Sequence, residues 1–198
     1  MRRVVVLALL AMALPIAAWA DGIDITNQYG SISISASGIV SVGSQLKSFN
    51  GIKAAKGHSL GSVSFSTGAL DGGSIAAGGT FSSVGSSFVV IGKAKGVPKG
   101  VIFSGAFVGD VNWTLVSSGK QSRVYTLSGT IQGMLYNGRS VTGTTTQTIY
   151  STQGQLSQGI GHIRVGNTHF NSPEPGTLGL LGTGLIGVAG MFRRKKST

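Results

Sequence analysis

The chain has 198 residues, a formal net charge of +11, 33 glycines and no cysteine. The lack of cysteine excludes disulfides, thiol catalysis and cysteine-based metal sites. Six of the sixteen lysines and arginines lie at positions 2–3 and 193–196, so the central region is only mildly basic. Its cations form no dense stripe and no nucleic-acid-binding motif, and we therefore expect no nucleic-acid partner.

The N-terminal residues have the pattern of a secretory signal peptide. Two arginines at positions 2–3 precede an almost wholly apolar run, residues 4–18. The small residues Ala18 and Ala20 fit the cleavage rule, which places the cut before Asp21. We therefore expect residues 1–20 to be a signal peptide. An uncleaved anchor is the alternative, but the apolar run is short for a permanent span.

The first half of the remaining chain alternates weakly between apolar and polar residues. Residues 21–58 predict one or two strands and then a loop containing lysine and glycine. Residues 60–66 alternate as a half-buried strand does. Asp71-Gly72-Gly73 predicts a turn, and residues 80–91 contain another strand.

The clearest alternation covers residues 101–116, whose odd positions are mostly apolar or glycine. A strand of this length is unusual, so a bend or bulge is expected at positions 105–110. Trp113 shares a face with Val111 and Leu115. We therefore interpret Trp113 as a core residue rather than as a platform for a sugar.

The second half continues the alternating pattern. Residues 124–135 place Tyr125 and other apolar side chains on one face, and Asn137-Gly138 is a strong hairpin signal. Threonine-rich residues 141–150 predict the returning strand, and a last strand is expected at 160–166.

These elements predict an all-β domain over residues 21–171, outside the cytoplasm. About eight to ten antiparallel strands with no helical periodicity indicate an antiparallel β-sandwich or a jelly-roll-like domain. A β-solenoid is the alternative, and the lack of a repeat of fixed length weakens it.

The C-terminal residues combine a short motif, an apolar run and a basic tail. The motif is Pro173, Glu174 and Pro175, and the apolar residues 177–192 predict a single transmembrane helix. Sixteen residues cover about 24 Å at 1.5 Å per residue, enough to span if flanking cations reach the interface. The tail, residues 193–198, should stay cytoplasmic by the positive-inside rule. Its stop-transfer cations are Arg193, Arg194, Lys195 and Lys196.

This combination resembles the PEP-CTERM protein-sorting domain, and the resemblance covers residues 172–198. The resemblance implies an exported protein of a Gram-negative bacterium that also makes exopolysaccharide. It implies that an exosortase, a membrane enzyme, recognises Pro173, Glu174 and Pro175 and cleaves there. These three residues would then be a substrate site for another enzyme.

Groups capable of catalysis are scarce in the central region. Asp71 and Asp110 are the only pair that could serve a glycosidase, and both have turn or bend positions. The three histidines lack metal-ligand spacing, and no Gly-x-Ser-x-Gly motif is present. We therefore expect no enzyme, no metal and no cofactor. A cleft holding Asp110 near a histidine would indicate an enzyme instead. Asp24, close to the predicted cleavage site, is expected to be frayed.

Two functions remain open. The first is an envelope or extracellular-matrix protein, tethered to the inner membrane, processed at the Pro-Glu-Pro motif and then placed at the cell surface or in the matrix. Its role would be structural or associated with exopolysaccharide and biofilm. The alternative is a carbohydrate-binding module for cell-surface polysaccharide. Tyr136 and Tyr150 are its candidate ligand contacts, and the mild basicity makes acidic exopolysaccharide a candidate partner.

Overall fold

The structure is a computed structural model, and it describes residues 22–171. The signal-peptide residues Ala18, Ala20 and Asp21 lie outside the described residues. So do the motif at 173–175, the apolar run at 177–192 and the basic tail at 193–198. Among the residues that are described, no helix has the length and apolar character needed to cross a membrane.

Residues 22–171 form twelve strands, all paired antiparallel, and one short helix, which confirms the all-β prediction. The elements are β1 (Ile23–Gln28), β2 (Ser31–Ser35), β3 (Gly38–Phe49), β4 (Ile52–Lys53), β5 (Gly61–Ser66), β6 (Leu70–Ser74), β7 (Gly78–Phe81), β8 (Ser87–Gly92), β9 (Gly100–Ser118), β10 (Ser122–Leu135), β11 (Ser140–Thr152), α1 (Gln153–Ser157) and β12 (Ile160–Asn171).

The sheet closes on itself, so the predicted sandwich or jelly roll is wrong. Eight strands follow one another in the order β9-β10-β11-β12-β1-β3-β5-β8, and β8 pairs again with β9. The 19-residue length of β9 allows this closure. One edge of β9 bonds to β10 over residues 103–118, while the other edge bonds to β8 and then to β7. A barrel closed in this way leaves no free edge among its eight strands.

The remaining strands extend this barrel. Strands β7 and β6 continue the sheet from β9, β2 lies between β12 and β3, and β4 pairs with the end of β3. The predicted turn at Asp71-Gly72-Gly73 is wrong, because these residues belong to β6 and the turn follows at residues 75–77.

The core confirms most of the predicted faces. On β10, Tyr125 is buried, as are the three apolar residues at the other odd-numbered positions, Leu127, Ile131 and Leu135. The predicted bulge in β9 is present, since residues 109–111 lie opposite Gly129 alone. Val101 departs from the odd-numbered face and is 51% exposed. A second irregularity, opposite Val90 and Ile91, turns Ile102 inward in its place.

Trp113 is a core residue, as predicted, with 1% of its surface exposed. Its ring stacks on Tyr125 with centroids 4.4 Å apart. Its Nε1 donates a hydrogen bond of 2.8 Å to the carbonyl of Ile75, and the Tyr125 hydroxyl donates one of the same length to Ala76. These two bonds attach the β6–β7 turn to the barrel.

One wall of the interior is polar. Asn27 on β1 and Gln147 on β11 are fully buried and lie on either side of Gly166 on β12. Asn27 Nδ2 donates to Gln147 Oε1 at 2.9 Å, and Gln147 Nε2 donates to Asn27 Oδ1 at 3.3 Å. Ser44 accepts from Asn27 and Thr145 accepts from Gln147. Every polar atom of the two amides thus has a partner, as burial requires.

Candidate functional site

Strands β1 and β2 behave as one strand interrupted at Tyr29 and Gly30. Both strands pair with β12 on one side and β3 on the other. Tyr29 has a φ of 63° and Gly30 a φ of 86°, so both residues lie in the left-handed region. This conformation is unusual for an aromatic residue. The interruption leaves the Tyr29 side chain 57% exposed on the outer face of the barrel.

A groove of about 400 Å³ lies next to Tyr29. We call it the lysine groove because Lys47, Lys53 and Lys56 line it together with Tyr29. The outward residues Thr26 and Ser48 form part of its floor. No carboxylate lines this groove, so its charge is entirely positive.

Lys47 is held in place by the structure. It is the extra residue in a bulge of β3, because Thr26 pairs with Ser48 while the next residue of β1 pairs with Leu46. Its Nζ donates to Gln45 Oε1 at 2.8 Å and to the carbonyl of His58 at 2.6 Å. The same ammonium lies 4.9 Å from the centroid of the Tyr29 ring, within the range of a cation–π contact.

Lys53 and Lys56 differ from Lys47. Both are exposed, and neither side chain forms a hydrogen bond or an ion pair with any residue in the described range. Lys53 lies on β4 directly beside Ser48. Two ammonium groups beside a third that is already fixed are available to bind an anion from solution.

A second groove, of about 350 Å³, adjoins the first. We call it the threonine groove; its outward-facing lining residues are Asp24, Thr26, Thr144, Thr146, Asn167 and His169. His169 Nδ1 lies 2.6 Å from Asp24 Oδ1. Asp24 pairs with His169 across β1 and β12, so the expectation that Asp24 is frayed is wrong. Thr26 lines both grooves.

The other candidate catalytic residues lie elsewhere. Asp110 is exposed in the β9 bulge, and Asp71 is exposed on β6. Neither aspartate lines either groove. Within residues 22–171, no three histidine or carboxylate side chains are close enough to hold a metal ion.

The two tyrosines predicted as ligand contacts are exposed, Tyr136 by 55% and Tyr150 by 38%. The structure does not bring them together, however. Tyr136 lies in the turn before β11, while Tyr150 pairs with Val124 near the other end of that strand. Ten strand residues at about 3.4 Å each separate them by roughly 34 Å.

The aromatic residue beside a basic groove is Tyr29, which sequence reasoning missed. The clustered cations at 47–56 and the Tyr29-Gly30 dipeptide were the available signals.

Comparison with known proteins adds information about the other end of the chain. Residues 173–195 match the family model of the PEP-CTERM protein-sorting motif. No curated protein and no solved structure matches the chain. The matched residues include Pro173, Glu174 and Pro175, the apolar run that follows, and the first three cations of the tail. The chain therefore carries a PEP-CTERM sorting motif, the signal by which the membrane enzyme exosortase recognises an exported protein.

Proposed function

We propose that this protein is an envelope or extracellular-matrix protein that reaches its place in three steps. The chain is exported and its signal peptide is removed. Residues 177–192 then hold it in the inner membrane with the barrel outside the cytoplasm. An exosortase-like enzyme finally processes it at Pro173, Glu174 and Pro175, and the barrel passes to the cell surface or the matrix. The match of residues 173–195 to the sorting motif carries this proposal.

We further propose a structural role, associated with exopolysaccharide or biofilm, rather than an enzymatic one. The barrel has one continuous apolar core. Its carboxylates are Asp24, Asp71 and Asp110, which lie on β1, β6 and β9. This distribution supports a scaffold more than it supports acid–base chemistry, which needs two groups positioned together.

C-terminal mass spectrometry of the protein recovered from its own cells tests the processing step. We expect the wild-type protein to lack residues 193–198 in cells with an active exosortase. Glu174→Ala should retain those residues, because the recognised motif is changed. Pro98→Ala, a change outside the motif in the loop before β9, is the control and should be processed normally. Recovery of mature wild-type protein that still carries residues 193–198 would contradict the proposal.

The second candidate function is a carbohydrate-binding module for cell-surface polysaccharide. The observation that favours it is the lysine groove beside the exposed ring of Tyr29. Aromatic rings and cations on one surface suit an acidic sugar chain. Pull-down of the protein with the native exopolysaccharide tests this role. If neither the pull-down nor a glycan array detects binding, the carbohydrate-binding role has no support.

A further inference from the structure

We propose that the lysine groove and the threonine groove together form one binding path for a polysaccharide that carries carboxylate groups. This inference deepens the carbohydrate-binding candidate above and rests on it. It names the surface, the residues that bind the polymer and the chemical class of the polymer.

The first step is that the two grooves are continuous. Cross-strand pairing places one outward row of residues across five adjacent strands, from β11 to β4. The row consists of Thr146, Asn167, Thr26, Ser48 and Lys53. Four strand spacings of about 4.8 Å give a path of roughly 19 Å. A path of this length suits a chain of several sugars rather than one small molecule.

The second step is the chemistry along that path. Hydroxyl groups and the amide of Asn167 offer both donors and acceptors, which suit the hydroxyl groups of a sugar chain. The path ends at Lys53 and Lys56, whose ammonium groups have no partner among the described residues. The single carboxylate that lines either groove is Asp24, which lies on β1 two residues before Thr26 and has its Oδ1 2.6 Å from His169 Nδ1. The row of paired residues itself runs from hydroxyl and amide groups on β11 and β12 to the cationic end at β4.

The third step is the position of Tyr29. A left-handed backbone strains a tyrosine but not a glycine, and such strain is often found where a side chain has a function. At this position the strain holds a largely exposed ring beside three lysines. An aromatic ring offers an apolar face to the C–H groups of a sugar, while the lysines bind the carboxylates.

The same features fit a polysaccharide better than two other polyanions. Single-stranded nucleic acids are bound by several aromatic platforms along a basic groove, whereas Tyr29 is the one tyrosine, phenylalanine or tryptophan that lines either groove. A cytoplasmic-type anionic membrane attracts clusters of four to eight cations, and the lysine groove holds three.

The test uses the full chain and two matched polymers, polygalacturonate and the same polymer after its carboxyl groups have been reduced to neutral alcohols. Lys53→Gln combined with Lys56→Gln should weaken binding to polygalacturonate by about tenfold, the effect expected for two exposed ion pairs. Lys99→Gln combined with Lys120→Gln makes the same change of charge outside both grooves and should leave the affinity unchanged. Binding of the wild-type protein should weaken as salt is added.

Tyr29→Asn provides the second variant, because asparagine tolerates a left-handed backbone and removes only the ring. It should weaken binding to both polymers. Equal binding of the two polymers by the wild-type protein would overturn the proposal, as would equal affinity of the groove variant and its control. Tighter binding to single-stranded DNA or to vesicles of phosphatidylglycerol would also overturn it. The sorting proposal is tested separately by C-terminal mass spectrometry, so either proposal can fail while the other stands.

Discussion

Gly166→Ala is the substitution that tests the buried amide pair most directly. A Cβ atom at position 166 would overlap both Gln147 Oε1 and Asn27 Oδ1. These two oxygens accept the hydrogen bonds that join the amides across β12. The methyl group must therefore separate the amides or move the strand, and we expect the barrel to lose stability in either case.

The magnitude follows from the two bonds. Each buried polar group that loses its partner costs about 1–3 kcal/mol, and two oxygens lose theirs. Alanine also restricts the unfolded chain, which stabilises the fold by about 0.4–1 kcal/mol. The net loss in the free energy of unfolding is then about 3 kcal/mol. With a urea dependence of about 2 kcal/mol per molar, the midpoint falls by about 1.5 M.

Urea unfolding of the full chain, followed by circular dichroism, measures this loss. Gly72→Ala on β6 is the matched control, because a Cβ atom there meets nothing within 4 Å. Gln147→Ala should lower the free energy of unfolding by less in the Gly166→Ala variant than in the wild-type protein. The shortened side chain leaves room for the methyl group at position 166. The reasoning is refuted if Gly166→Ala unfolds at the same urea concentration as Gly72→Ala.

Two further predictions concern buried polar groups. Ser41 is 2% exposed and its hydroxyl has no partner among the described residues. Ser41→Ala should therefore stabilise the protein by about 1 kcal/mol, seen as a rise of about 2–4 °C in Tm, and a lower Tm would contradict this account. Trp113→Phe removes the hydrogen bond to the carbonyl of Ile75 and should lower the free energy of unfolding by about 2 kcal/mol. It should also speed hydrogen exchange at residues 75–77, and unchanged exchange there would show that Trp113 does not hold the turn.

The predictable parts of the fold are those that depend on neighbouring residues. Alternation alone identified the buried face of β10, and the excessive length of residues 101–116 indicated the bulge near Asp110. The Asn137-Gly138 turn was equally clear, because its chemistry is contained in two residues. The wrong turn prediction at Asp71-Gly72-Gly73 also has a cause within its own strand. Residues that usually form turns occupy β6, where four of the five residues are exposed and packing makes few demands.

The unpredictable parts depend on residues far apart in the sequence. Barrel closure requires β8 and β10 to pair with opposite edges of β9. The alternation of apolar and polar residues does not indicate which strand edges pair. Asn27 and Gln147 are 120 positions apart, so the sequence near either residue does not predict their hydrogen-bonded pair. Tyr29 was missed for a similar reason. The lysines beside it in the groove come from β3, β4 and the loop that follows, which are distant from Tyr29 in the sequence.

The pairing of the first strand with the last has a consequence for the timing of folding. β1 bonds to β12 through five consecutive pairs, from Ile23 with Phe170 to Asn27 with Gly166. The barrel thus cannot close until the chain is made and exported through residue 171, and contacts of such wide sequence separation form slowly. The domain therefore stays incomplete until its last strand is available. Only Ser172 separates the end of β12 from Pro173, so the last strand to emerge is followed at once by the processing motif.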